Sequence, residues 1–270
     1  MKEVVKKVLI VGDTSYIARG FAQYIQARPQ YNITTKSISA RGNWAGIDFS
    51  AYDCVLFTAG IAHRKQTARN RQLYYTLNRD LAVAVATLAK ASGVAQFIYL
   101  SSMAVYGVKQ GAIYTDTQPN PDPSDHYATS KHQAESALLD LASPDFAVSV
   151  LRPPLVYGKD CPGKYNGLRK IAKHAPVLPT YANRRSMIHV DALAEGIAQC
   201  VLAPESMIIT PQDTHFHCTS QLLFQLATDM GRKPLRLPWL NVFIKLALPF
   251  VPPIKTAFGD LYYAHDHADS

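Results

Sequence analysis

Apolar residues recur along this chain with two alternating rhythms. Residues 4–11 form a nearly continuous β-branched run broken only by Lys6-Lys7, the pattern of an inner strand of a parallel sheet. Residues 31–39, 53–58, 97–100 and 148–156 repeat that strand rhythm. Between them, an amphipathic pattern running to Ala27 and the stretches 73–91, 127–142 and 191–202 predict helices. Residues 113–125, rich in Pro and Asp, predict a loop leading into the helix at Tyr127. Residues 159–179 leave the strand rhythm, and the remainder alternates short strand and helix signals, with Trp239 and Phe243 expected in a core. The apolar stretch 239–251 carries Lys245 and Pro249 and is too short to span a bilayer; it reads as a helix capping a small domain, with a membrane-surface contact left open. There is no internal repeat.

At 270 residues the chain accommodates one large α/β domain with a modest appendage. A hydrophobic fraction of 48% with 18% charged residues describes a globular protein rather than a disordered one. The formal charge of +8 favours anionic partners. Its Lys and Arg are scattered, with only short clusters such as Arg69-Asn70-Arg71, which argues against a nucleic-acid stripe. Cys54, Cys161, Cys200 and Cys218 show no metal-like spacing, so no metal is expected and reduced thiols in a cytoplasmic protein are. The charged start running straight into a strand implies no signal peptide, and residues 265–270 read as a polar tail. His63 is read as a loop histidine without a role.

The candidate chemistry centres on Tyr127 and Lys131, which a helix places one turn apart. A lysine charge there is expected to pull the phenol's pKa down, so that the tyrosine exchanges a proton with an alcohol. Such a pair alone is common on exposed helices; its company matters. Ser101-Ser102 closes the strand 97–100, at the end where open α/β sheets bind ligands. Gly12-Asp13-Thr14-Ser15-Tyr16-Ile17-Ala18 follows the first strand, with Ser15 at the second and Ala18 at the third fingerprint glycine position. Ser15 could donate to a phosphate or hold the backbone away from one. After the second strand stands no acid but Ser39-Ala40-Arg41, and Arg41 is placed to meet a 2′-phosphate, favouring NADP(H) over NAD(H).

The Gly12 turn, Thr58-Ala59-Gly60, Ser101-Ser102-Met103-Ala104-Val105-Tyr106-Gly107, Tyr127 with Lys131, and Arg152-Pro153-Pro154-Leu155-Val156-Tyr157-Gly158 together resemble the extended short-chain dehydrogenase/reductases, in their nucleotide-sugar epimerase/dehydratase/reductase branch. The resemblance implies an α/β fold, a Rossmann-type doubly wound parallel sheet with a small C-terminal substrate-binding domain. The expected division is 1–157 plus about 189–203 for the dinucleotide domain, and about 158–188 plus 204–270 for the small one. It implies Ser102, Tyr127 and Lys131 as catalytic. Gly12, Ser15, Tyr16, Ile17, Arg41, Asp48, Ala59, Gly60 and Asn78, with Tyr127 and Lys131, are implied at the cofactor. Ser102, Met103, Lys164, Asn166 and Arg185 are implied at the substrate, Arg185 clamping a diphosphate as a planar guanidinium suits. Leu155 stands where the family commonly has Asn.

The implied function is redox chemistry at C4 of a UDP-linked sugar, foremost reduction of a UDP-4-keto-6-deoxyhexosamine in surface-polysaccharide synthesis. A UDP-hexose 4-epimerase is the alternative within the family, and a non-catalytic cofactor-sensing scaffold the alternative outside it. The chain ends soon after Phe258-Gly259-Asp260-Leu261, so a more open substrate pocket is expected. Helices 73–91 and 127–141 could pair across a homodimer.

Overall fold

The computed structural model describes residues 5–62 and 66–264; the expected strand start at Val4, His63 and the tail 265–270 lie outside them. The chain clusters into two compact units. The first comprises Met1–Gly107, Pro119–Pro153 and His189–Pro211, the second Val108–Gln118, Pro154–Ile188 and Gln212–Ser270.

The first unit is built on six strands: β1 (Lys6–Val11), β2 (Ile33–Ile38), β3 (Cys54–Phe57), β4 (Gln96–Leu100), β5 (Ala147–Leu151) and β6 (Met207–Ile209). They lie in the order β6-β5-β4-β3-β1-β2, every neighbouring pair parallel. Central strands of such a sheet are covered on both faces, which is why their sequences are apolar throughout rather than alternating. Val8 to Val11 and Val55 to Phe57 are 0% exposed. Phe57 stacks on Phe97 and Tyr99 inside the core. Flanking helices are α1 (Tyr16–Gln26), α2 (Leu81–Ala91), α3 (His126–Leu139) and α4 (Val190–Leu202), with α1 packed on α4 and α2 on α3. Strand order reverses between β1 and β3, so their carboxyl ends flank the crevice where doubly wound sheets take ligands.

The stretch 73–91 is not one uniform helix. It begins as a short helix, Arg71–Tyr75, passes through a π-helical turn, Thr76–Asp80, and continues as α2. A π turn inserts one residue per turn and rotates the side chains that follow. Here it coincides with a fully buried Asn78.

In the second unit, Gly111–Ile113 pairs with Leu261–Tyr263 and Val177–Leu178 with Leu235–Arg236, both parallel. Helices Lys164–His174, Thr219–Asp229, Leu240–Ala247 and Pro252–Phe258 complete it. Trp239 and Phe243, expected in the core, are 57% and 60% exposed. The reason is the helix's rotation: Ile244 is the buried residue of Leu240–Ala247, and Asn241 is tied to Thr180, so the face bearing Phe243 turns outward. No helix among the described residues is long and apolar enough to cross a membrane.

Candidate functional site

The turn after β1 is held by the ends of its two neighbours. The N–H groups of Gly12 and Asp13 both donate to the Ile38 carbonyl at the end of β2. Thr58, at the end of β3, donates its hydroxyl to the carbonyls of Val11 and Gly12. Gly12 has φ +115°, and a Cβ there would lie 2.7 Å from the Ala59 nitrogen. Glycine is therefore required on both conformational and steric grounds. Ser15 serves as N-cap of α1: its N–H donates to Gly12 and its Oγ accepts from Ala18. That oxygen thus occupies the place of a helix donor's partner, while the N-terminal amides of α1, beginning at Tyr16 and Ile17, stand beside the turn with the positive end of the helix dipole.

Arg41 lies exposed three residues beyond β2, where its backbone N–H donates to Ser39 Oγ. Asp48, also exposed, caps the 3-10 turn Phe49–Ala51 by accepting from the N–H and hydroxyl of Ser50.

Asn78 connects this edge to α3. Its Oδ1 accepts from Ile61 N–H at 2.8 Å, and its Nδ2 donates to Ser130 Oγ at 3.0 Å and to the Ile61 carbonyl at 3.3 Å. Its own carbonyl accepts from the Tyr99 hydroxyl. A Cβ on Gly60 would stand 2.6 Å from Asn78 Oδ1 and 3.5 Å from Lys131 Nζ, so Gly60, Asn78 and Lys131 are brought together. Gln66 locks the start of α3: it donates to Asp125, the N-cap, and accepts from His126 N–H.

Ser102 closes β4 in extended conformation and caps the 3-10 turn Met103–Tyr106, its Oγ accepting from Ala104 N–H. With that lone pair engaged, its hydrogen is available to Tyr127, whose ionised form the Ser102 hydroxyl favours. Met103 is buried beside it, its N–H donating to the Pro153 carbonyl.

The electrostatics differ from the sequence expectation. Burial raises the Tyr127 pKa above its usual value of 10; the Ser102 hydrogen bond opposes the rise and Asp125 adds to it. Lys131 does not pull it down, because its ammonium points elsewhere. Nζ donates to the Leu100 carbonyl at 2.7 Å and sits 4.5 Å over the Tyr99 ring. At 5% exposure, burial brings its own pKa down to about 7, against a smaller opposing pull from Glu135. Glu135, one turn along α3, is held in a two-point ion pair by Arg152, which also donates to Tyr106 Oη. The sequence reading missed Glu135 altogether. Its only signal was a carboxylate at i+4 from Lys131, which suggests a lysine pair rather than a buried arginine one.

In the second unit, Lys164 and Asn166 lie exposed in the first turn of Lys164–His174. Arg185 forms backbone bridges with His217 and Leu261, and its guanidinium donates to the Gly259 carbonyl. Burial lowers its pKa, opposed by Asp260. Asp213, His215 and His217 also converge, with potential ligand atoms within 4.8 Å of one another. Asp213 Oδ2 is already engaged by Tyr157 Oη and His217 Nε2, each at 2.8 Å. The alternating Asp-x-His-x-His spacing was the available signal, which a reading of metal spacing from the cysteines alone passes over.

A strand–turn–helix with no room for a side chain at Gly12, a helix N-terminus beside it, and Ala59-Gly60 at the adjacent strand end suit the diphosphate of a dinucleotide. The first unit is thus a dinucleotide-binding α/β fold. The chain belongs to the NAD dependent epimerase/dehydratase family, whose model matches residues 8–209, and a nicotinamide dinucleotide is the cofactor class that goes with it. Among curated relatives, a UDP-glucose 4-epimerase of Vibrio cholerae is 25% identical over 263 residues, covering 88% of this chain and 80% of that protein. The N-acetyl-alpha-D-glucosaminyl-diphospho-ditrans,octacis-undecaprenol 4-epimerase of Escherichia coli O157:H7 is 29% identical over 55% of this chain and 45% of its own length. Of solved structures, dTDP-4-dehydrorhamnose reductase from Bacillus anthracis with NADP superposes with TM-score 0.72 at 16% identity, covering 97% of this chain and 91% of that one. UDP-glucuronic acid 4-epimerase from Bacillus cereus with NAD gives 0.69 at 16%, covering 86% and 85%.

Proposed function

We propose that this protein reduces the C4 ketone of a UDP-linked 4-keto-6-deoxyhexosamine. The observation that carries the reading is the placement of Ser102, capping the turn after β4, beside Tyr127 of α3, whose phenol burial keeps protonated. A phenol whose pKa lies above 10 is a proton donor at neutral pH. Reduction of a ketone needs a donor, whereas the opening half of an epimerisation needs a base. Ser102, oriented by Ala104 N–H, would hydrogen-bond the C4 oxygen while Tyr127 delivers its proton to that oxygen. Lys131, fixed by the Leu100 carbonyl and 3.5 Å from where a Gly60 side chain would begin, would hold the cofactor's ribose. The bound nicotinamide supplies the hydride. Gly12, Ser15, Tyr16, Ile17, Ala59, Gly60 and Asn78 would cradle the dinucleotide, with Arg41 facing a 2′-phosphate and Asp48 the adenosine end. Met103, Lys164, Asn166 and Arg185 would face the sugar nucleotide, Arg185 its diphosphate.

A 4-epimerase is the second reading, favoured by the curated relatives, whose named reactions are 4-epimerisations. The non-catalytic alternative is opposed by the presence of Ser102, Tyr127 and Lys131 together, which a site without chemistry has no need to keep. The experiment is to incubate the protein with UDP-GlcNAc or UDP-glucose without reductant, and separately with a UDP-4-keto-6-deoxyhexosamine plus NADPH. Stoichiometric NADPH oxidation in the second mixture alone supports the reductase. Interconversion of C4 epimers in the first overturns it, and binding of cofactor without turnover in either makes the protein a sensor.

A further inference from the structure

The helix Leu240–Ala247 is amphipathic in the inverse sense to a core helix. Val242, Phe243 and Leu246 follow the spacing that lines up one helical face, with Trp239 capping the helix and Phe250 in the turn beyond it, and they are 60%, 60%, 66%, 57% and 83% exposed. The opposite side is fastened. Ile244 is 8% exposed, and Asn241 exchanges two hydrogen bonds with Thr180, one to its backbone and one to its hydroxyl. Trp239 and Phe243 meet edge to face at 5.6 Å. The apolar stripe is therefore held outward by a fixed helix. Monomeric proteins rarely leave contiguous apolar surface of this kind without a partner for it.

Charge says which partner. Residues 231–259 contain Arg232, Lys233, Arg236, Lys245 and Lys255 and not one Asp or Glu. An apolar aromatic face set in a wholly cationic segment is the composition of a helix that lies in the headgroup region of an anionic bilayer. Apolar side chains enter the acyl boundary, an indole favours the interface, and lysine stems reach phosphates. A second copy fits poorly, since a two-fold contact would set these cations against their own kind. At eight residues the helix cannot span the bilayer. We infer that this protein docks reversibly on anionic membrane through the Trp239–Phe250 face, a property independent of which C4 reaction it performs.

The test is co-sedimentation of the full chain with vesicles of phosphatidylcholine containing roughly 30% phosphatidylglycerol, and with phosphatidylcholine alone. The protein should pellet with the anionic vesicles, about tenfold less with neutral ones, and release in about 0.5 M NaCl. Phe243→Glu/Leu246→Glu should lower binding by about tenfold or more, with circular dichroism and cofactor binding unchanged because both side chains are exposed and remote in sequence from the dinucleotide turn. Lys245→Glu alone should weaken the anionic preference. No pelleting with anionic vesicles overturns the proposal. So does a concentration-dependent dimer, measured by light scattering, that the double variant turns to monomer while vesicle binding is unaffected.

Discussion

Replacing Lys131 by methionine should stabilise the ligand-free protein at neutral pH. The ammonium is 5% exposed, its neighbours are a neutral carbonyl and a ring face, and the carboxylate one turn away is already paired with Arg152. A buried ammonium so placed is the disfavoured form, and its pKa falls from 10.5 to about 7. The difference of 10.5 − 7 = 3.5 units corresponds at most to about 5 kcal/mol. Losing the bond to Leu100 returns roughly 1 kcal/mol, and relaxation around the charge more, leaving a net gain of roughly 2–3 kcal/mol. Because the folded value lies below the unfolded one, the unfolded chain binds more protons between them, so this group's contribution rises with pH from about 7 upward. Below that, both states are protonated and the full cost remains. From about pH 7 to pH 8.5 the wild type should gain roughly 1.5 kcal/mol that the methionine variant does not. The thiols of buried Cys54 and Cys161 and half-buried Cys200, raised by desolvation, act in the opposite sense at higher pH, and subtracting the variant from the wild type cancels them. Urea unfolding of both proteins by circular dichroism across that window measures the difference. A variant less stable than the wild type at neutral pH, or a difference that does not shrink as pH rises, refutes the argument.

Tyr127→Phe keeps the ring and removes the proton, so turnover should fall roughly a hundred- to ten-thousand-fold with cofactor affinity retained; activity within a few-fold of wild type would end its assignment. Arg41→Ala should narrow a preference for NADP(H) over NAD(H), read by fluorescence titration of both nucleotides, and a wild type that prefers NADH would mean Arg41 serves solvent. Arg185→Ala should weaken the sugar nucleotide far more than the cofactor, and equal losses would make it a residue of the fold, through its bond to Gly259. Asn78→Ala strands the buried Ile61 N–H and frees Ser130; it should cost roughly 2–4 kcal/mol by denaturation, and a loss under about 0.5 kcal/mol would show that water replaces the amide.

The inner strands were legible in the residues because a parallel sheet covered on both faces demands unbroken apolar runs, and 8–11, 54–57 and 97–100 have them. The turn at Gly12 and the one-turn spacing of Tyr127 and Lys131 on α3 were legible too, since turn geometry and helical spacing are local properties. What sequence could not carry was the direction of a side chain once several elements meet. Lys131 and Glu135 are a turn apart and look like a pair, yet an arginine from β5's far end claims the carboxylate and a strand carbonyl claims the ammonium. Asn78, which the resemblance implied at the cofactor, sits on a stretch that reads as one continuous helix, yet a π turn and the packing of α3 bury it against Ile61 and Ser130. Trp239 and Phe243 carry the hydrophobicity of a core, and the single rotation set by Ile244 and Asn241 puts them in solvent instead. Periodicity gives a helix two faces; only the neighbours that anchor one of them decide which is buried.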